Sequence, residues 1–226
     1  MSRNAMRVFI GYESSGVVRE AFRALGHDAW SCDLQDADDG SPNHIKGDVW
    51  DHVFGDWDLR ILHPTCTFLT GAAEWAFSDP DFHRYPGVGY HQRVKPGTLV
   101  GADRRAARDA ALDEIRSLMA IPGPMCIENP VGVIGSRVRK PSQIVQPYQF
   151  GDDASKMTCL WMNGLPPLKP TKLVAPRMVN GKPRWGNQTD SGQNRLPPTA
   201  DRWKLRSKTY QGIADAMADQ WGNNGK

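Results

Sequence analysis

Four cysteines punctuate this chain, at positions 32, 66, 126 and 159, and one of them stands where a thiol could do chemistry. Cys66 lies in ILHPTCTFLTG (residues 61–71), behind an apolar run and among Pro64, Thr65 and Thr67, which makes it a loop residue at the end of a strand. A cysteine there is either a nucleophile reacting as its thiolate or an inert small hydrophobe. Cys32, Cys126 and Cys159 lie in or beside apolar strands and fit the inert role. Glu128 bears on the choice. In MCIENP (residues 125–130) an apolar strand ends by presenting Glu128 and Asn129 ahead of Pro130. A carboxyl group in such a place must be paired or used. A thiol at one strand end and a carboxyl group at the next supply a nucleophile and a proton donor to one cleft.

A second group has the makings of a ligand cradle. VFIGYESSG (residues 8–16) runs strand, glycine turn, helix start, and places Tyr12, Glu13, Ser14, Ser15 and Gly16 in the turn. Free backbone N–H groups and the helix dipole favour an anion there. The spacing is neither GxGxxG nor a P-loop, so neither a dinucleotide nor a nucleoside triphosphate is implied. Asp33, with Leu34 beside it, ends the following strand, at the place where doubly wound folds hold ribose hydroxyls. Asp48 and Val49, in the GDV that follows the third apolar segment, extend the same rim. Three consecutive strand ends bearing such groups suit an adenosine-containing molecule.

These residues need a parallel sheet behind them, and the pattern supplies one. RVFIG, HDAWSCDL, HIKGDVWD, WDLRILH and PMCIENP read as five strands, and SSGVVREAFRALG reads as a helix between the first two. Strands alternating with helices at this spacing predict an α/β fold with right-handed crossovers. GADRRAARDAALDEIRSLMAI predicts a long helix whose buried face is Ala102, Ala106, Ala110, Ile115, Leu118 and Met119. Residues 78–100 read as a long irregular loop, of the kind that carries function or is disordered. Beyond residue 141, QIVQPYQF and TCLWM are apolar. Residues 164–206 show little periodicity and a basic composition, and SKTYQGIADAMADQW is helical again. One domain spanning 1–226 is expected.

Composition narrows the partners. Residues 1–130 hold 13 Lys/Arg against 19 Asp/Glu, whereas residues 131–226 hold 15 against 6. An acidic first part joined to a basic second part suits a polyanion, or simply a solvated basic surface. No apolar run is long enough to span a membrane, and the start lacks a signal-peptide pattern. The cysteine spacing favours neither zinc nor disulfides, so a reducing cytoplasm is expected, with no metal and no membrane.

Taken in order, these segments resemble the cytosine-C5 DNA methyltransferases, in particular their short phage or prophage members. VFIGYESSG resembles the cofactor loop of that family, SCDL its ribose-binding acid, GDV the segment at the adenine, HPTC the Pro–Cys nucleophile motif and IENP the Glu–Asn motif. FGDDASKMTCLWMNG resembles the segment that normally carries Gln-x-Arg-x-Arg, and SKTYQGIADAMADQW the segment that returns to close the cofactor pocket. Three departures stand out. Thr65 replaces the proline before the cysteine, Pro130 follows Glu–Asn where valine is commoner, and Lys156 and Thr158 stand where the two arginines would be. A separate target-recognition domain is also missing, so little sequence would be read, or it would be read with the 78–100 loop.

The resemblance implies a Rossmann-like S-adenosylmethionine-dependent methyltransferase fold, acting as a monomer on DNA in a bacterial host's cytoplasm. Cys66 and Glu128 would be catalytic. Tyr12, Glu13, Ser14, Ser15, Gly16, Asp33, Leu34, Asp48, Val49, Pro64 and Ser207 would bind S-adenosylmethionine. Asn129, Arg137, Arg139, Lys156 and Thr158 would contact the target, with Lys156, Arg137 and Arg139 as the candidate cations near the pyrimidine O2. Cys66 would add to C6 of cytosine while Glu128 stabilises a proton at N3, which frees C5 to take the methyl group. The base would be flipped out of a duplex or met in a single strand. Arg, Lys and Trp residues between 169 and 206 would hold phosphates and stack bases, with Trp185 and Trp203 as either stacking or core residues. Two alternatives stay open: a methylase of RNA or free pyrimidine nucleotides, and a catalytically silent DNA-binding module.

Overall fold

Val8, Phe9 and Ile10 are consecutive and all fully buried, which is what a strand covered on both faces requires. They form β1 (Arg7–Gly11), an interior strand of a seven-stranded sheet in a computed structural model that describes residues 5–71, 73–79, 97–197, 199 and 202–222. The chain divides into two compact units. The first comprises residues 1–64, 121–130 and 141–226; the second comprises residues 65–120 and 131–140.

The first unit holds the sheet. Its strands are β1, β2 (Asp28–Asp33), β3 (His44–Lys46), β4 (Leu59–Leu62), β5 (Met125–Pro130), β6 (Gln143–Val145) and β7 (Thr158–Asn163), in the order β3-β2-β1-β4-β5-β7-β6. The pairs from β3 through to β5 are parallel, while β7 is antiparallel to both β5 and β6. The architecture is thus mixed α/β with a largely parallel sheet. It departs from the all-parallel doubly wound order by one reversed strand between β5 and β6. The order reverses at β1, which places the carboxyl ends of β1 and β4 at the switch point where such sheets bind ligands.

Helix α1 (Val17–Ala24) packs with a late helix, α5 (Gln211–Trp221), on one side of the sheet. Val18, Ala21 and Phe22 share their apolar cluster with Ile213, Met217 and Trp221. Residues 164–206, expected to be irregular, contain a hairpin, β8 (Arg177–Val179) and β9 (Lys182–Arg184), and a short helix, α4 (Arg202–Ser207). The hairpin turns on Asn180 and Gly181, at φ of 50° and 73°. Positive φ at both positions is what the tightest hairpin turn demands, and Asn-Gly meets that demand at little cost. Trp185 stacks on Tyr148 at 4.3 Å between ring centroids and donates its ring N–H to Val174 O, so it is a packing residue. Trp203 is exposed.

The second unit contains the long helix, which is α2 (Gly101–Met119), and a short one, α3 (Ile134–Arg137). Its buried face corrects the alanine-based expectation. Ala102, Ala106 and Ala110 are exposed, and the buried stripe is Gly101, Arg104, Arg108, Leu112, Ile115 and Leu118. Arg104 and Arg108 lie over the Phe77 ring, at 4.6 and 3.2 Å from its centroid. A guanidinium plane packs on a phenyl face like an apolar group, and that of Arg108 does so while donating to Phe68 O and to both Glu74 oxygens. Hydrophobic periodicity cannot register that. Of the expected 78–100 loop, residues 80–96 lie outside the described residues.

Candidate functional site

The β1–α1 turn is closed by its own glutamate. Glu13 is buried, and its carboxylate accepts Val18 N–H at 2.8 Å and Arg19 N–H at 3.2 Å, with the Ser15 hydroxyl at 3.3 Å. The anion held by the N-terminus of α1 is therefore part of the chain. Tyr12 takes the left-handed region at φ 61°, and Gly16 does so at φ 72°. A Cβ at Gly16 would meet the Arg19 guanidinium and Asp39, which explains glycine there. Fully buried Arg19 donates to Ser31 Oγ at 2.7 Å and pairs with Asp39. Asp38 N–H donates to Ser14 O at 2.9 Å. These bonds tie the segment after β2 to the β1–α1 turn.

The rim beyond is acidic. Asp33, half-buried at the end of β2, accepts Gln35 N–H at 2.9 Å through Oδ1. Asp48, two residues past β3, accepts Trp50 N–H at 2.9 Å. Leu34 is exposed, and Val49 is buried with its side chain near Gly11. The Cys32 thiol reports the field: burial, then Asp33, Asp48 and Asp51, push it up to about 11. A phosphate would be repelled here, and the α1 N-terminus already holds a carboxylate. Carboxylates of this kind accept ribose hydroxyls and favour a cationic group. Ser207 ends α4, exposed, with its hydroxyl on Lys204 O at 2.8 Å. Lys204 and Lys208 both reach Asp38, at 2.5 and 3.2 Å, and so join α4 to the segment that follows β2.

Glu128 stands third from last in β5, buried, opposite Leu160 of β7. Its Oε2 lies 3.1 Å from His63 Nδ1. Burial raises the Glu128 pKa, but the His63 hydrogen bond and the charges of Lys156 and His63 outweigh it and hold the carboxyl below its ordinary range. Lys156, half-buried, donates to Arg206 O at 3.0 Å. The first arginine position of the resembled motif thus carries a cation that acts on Glu128. Thr158 is buried and its hydroxyl donates to Lys156 O at 3.2 Å. Asn129 is also buried, and its amide donates to Pro64 O at 2.7 Å, joining the end of β5 to the segment that leaves β4. The Cys126 and Cys159 thiols are both pushed up by burial and by the charge of Glu128, and neither is primed to react.

Cys66, half-buried, belongs to the second unit. Its carbonyl accepts Leu69 N–H at 3.0 Å and Thr70 N–H at 3.2 Å, so the cysteine opens a tight turn. Arg108 fixes that turn by donating to Phe68 O at 2.8 Å while forking onto both Glu74 oxygens, at 3.1 and 2.9 Å. Val133 N–H donates to Leu69 O at 2.8 Å, and Gly132 lies against the same carbonyl too closely for any Cβ. Arg137 and Arg139 are exposed in this unit, with Arg137 4.0 Å from Asp109.

Sequence reasoning passed over His63, although it sits in the same HPTC as the cysteine; a histidine one residue past an apolar strand was the available signal. It also passed over Arg60, whose guanidinium donates to Val53 O, Gly55 O and Trp57 O and fixes the loop before β4. Among the described residues no group of three or more His, Cys, Asp or Glu could hold a metal, and no helix is long and apolar enough to cross a membrane.

The fold and the residues define an α/β protein whose strand ends carry an acidic rim and a paired carboxylate. Neither the protein-family models nor the curated proteins contain a match to this chain.

Proposed function

We propose that this protein is a DNA cytosine-C5 methyltransferase that takes its methyl group from S-adenosylmethionine, on a Rossmann-like methyltransferase fold. The observation that carries the proposal is the pin between Asn129 and Pro64. It ties the residue after Glu128 to the residue two before Cys66. Each residue spans at most about 3.6 Å, so the covalent chain keeps the Cys66 backbone within roughly 7 Å of that pin. The acidic rim supports the cofactor, because it accepts hydroxyls and favours a sulfonium while disfavouring phosphate. S-adenosylmethionine supplies an electrophilic methyl group when bound. Asp33 would hold the ribose, and the Tyr12–Gly16 turn and Asp48 would complete the rim.

The chain's own residues then have distinct tasks. Cys66 Sγ adds to C6 of cytosine, and the proton it gives up ends on N3. The Glu128 carboxylate stabilises that proton, leaving C5 nucleophilic. After methylation, loss of the C5 proton to a base, cleavage of the S–C6 bond and return of the N3 proton to sulfur restore the ring and the thiol. The basic second part of the chain holds phosphates.

Tritiated methyl transfer measured in parallel on duplex DNA, single-stranded DNA, tRNA and dCMP tests the proposal. Label on C5 of DNA cytosine is expected, with a covalent adduct at Cys66 on an oligonucleotide carrying 5-fluorocytosine. Label on tRNA or dCMP alone would replace DNA as substrate. DNA binding that ignores cofactor, with neither label nor adduct, would leave a silent binding module.

A further inference from the structure

His63 is one residue beyond β4, and its N–H still donates to Gly11 O at 3.0 Å, so the ladder with β1 holds its backbone in register. The side chain is nine-tenths buried, as is that of Glu128, and Nδ1 is 3.1 Å from Glu128 Oε2. An ionised carboxylate only accepts, so Nδ1 carries the proton between the two side chains, and Nε2 is the ring's other nitrogen. That Nε2 is buried and finds no partner among the described residues, and the same is true of Asn129 Oδ1. Native proteins leave few such atoms unmet, and the one on the ring that meets Glu128 marks a place where a ligand completes the bonding. Lys156 from the segment before β7 is the other charged group acting on Glu128. Cys126 and Cys159, in β5 and β7, are the thiols that feel its charge.

We propose that His63 is a positioning residue for Glu128: its Nδ1–H engages Oε2, fixes the plane of the carboxylate and reserves Oε1 for the N3 proton of the target base. This rests on the methyltransferase proposal for what Glu128 meets, but the pairing of the two side chains does not. A carboxylate free to rotate would present either oxygen at varying angles, and misplacement of this kind costs turnover rather than binding.

Two experiments test it. In protein labelled with 15N in its histidine rings, without ligands, one Nδ1 proton should resonate far downfield and exchange slowly. Glu128→Gln and His63→Asn should each remove that resonance. If the signal is absent from the wild type, or survives Glu128→Gln, the pairing is wrong. In the methyl-transfer assay, His63→Ala should lower kcat by about 100-fold with the KM for DNA and cofactor within about twofold. His63→Asn, whose amide nitrogen stands where Nδ1 stood, should recover about tenfold of that loss. Equal impairment of the two variants at equal melting temperature, or full activity in His63→Ala, would overturn the positioning role. If the wild type transfers no methyl group and forms no adduct, the methyltransferase proposal fails, and the resonance experiment alone decides whether His63 orients Glu128.

Discussion

Glu13 and Glu128 are both buried carboxylates near the carboxyl ends of parallel strands of one sheet, and their surroundings could hardly differ more. Glu13 is met on the spot by two backbone N–H groups of α1 and by Ser15. These three bonds fix it within the turn that it closes. Glu128 has one hydrogen-bond donor among the described residues, the imidazole of His63, whose other nitrogen is unmet, with Lys156 acting by charge. A fully satisfied buried acid is architecture, whereas a partly satisfied one is available for chemistry. The same contrast separates the cysteines. Cys126 is sealed in β5, and Cys66 opens a turn that Arg108 and Val133 hold in place.

The largest effect expected is at Cys66. Cys66→Ser should lower methyl transfer by more than about 10³-fold and abolish the 5-fluorocytosine adduct, with the melting temperature unchanged. Cys126→Ser should invert this, keeping activity and losing about 1–3 kcal/mol of stability to a buried hydroxyl. An adduct that maps by mass spectrometry to Cys126 or Cys159 would erase the distinction between the two thiols.

Glu128→Gln comes next, with turnover reduced about 10²- to 10³-fold and DNA binding kept. Glu13→Gln should do the opposite, costing about 1–2 kcal/mol as a lost helix cap while turnover at low temperature is spared. Urea denaturation and steady-state rates on both variants sharpen the comparison, and equal effects on both would break it. The pH dependence is part of the same test. Because the folded-state pKa of Glu128 is lowered, its contribution to stability is complete above the unfolded value of about 4.3. It is lost as pH falls through the lower folded value. Glu128→Gln should therefore flatten the decline in urea midpoint that the wild type shows on acidification.

Charge separates the halves more gently. DNA affinity should fall steeply with rising salt, because each phosphate contact releases counterions. A flat log–log plot between low and moderate salt would remove DNA from the basic segment. The smallest effect expected is Asp33→Ala, with S-adenosylmethionine affinity lowered about tenfold, consistent with one lost charge-assisted hydrogen bond. Calorimetry on the folded variant reads it directly.

The sheet was legible because its strands are short apolar runs punctuated by glycine and acids, and the signals for β1, β2, β4, β5 and α1 survive in the structure with nearly the same bounds, whereas HIKGDVWD is a strand only over His44–Lys46 and becomes a 3-10 helix at Val49–Asp51. The Cys66 and Glu128 segments were legible for the same reason, since strand ends announce themselves. What sequence hid depends on pairs of residues far apart. The α2 face is carried by Arg104 and Arg108, which a polarity pattern assigns to solvent, and only the nearness of Phe77 and Glu74 reverses that assignment. His63 acquires meaning from Glu128, which follows 65 positions later. The hairpin at Asn180–Gly181 had a local signal that the surrounding basic composition masked.

The packing of α5 on α1 carries a consequence for how the chain comes into being. Phe22 and Val18 emerge from the ribosome early, yet the residues that cover them, Ile213, Met217 and Trp221, are nearly two hundred positions later. With synthesis at about 5–20 residues per second, the apolar side of α1 waits roughly ten seconds or more for its cover. Through that interval this apolar surface of the first unit stays uncovered, and the α1–α5 part of its core closes as a late, long-range event.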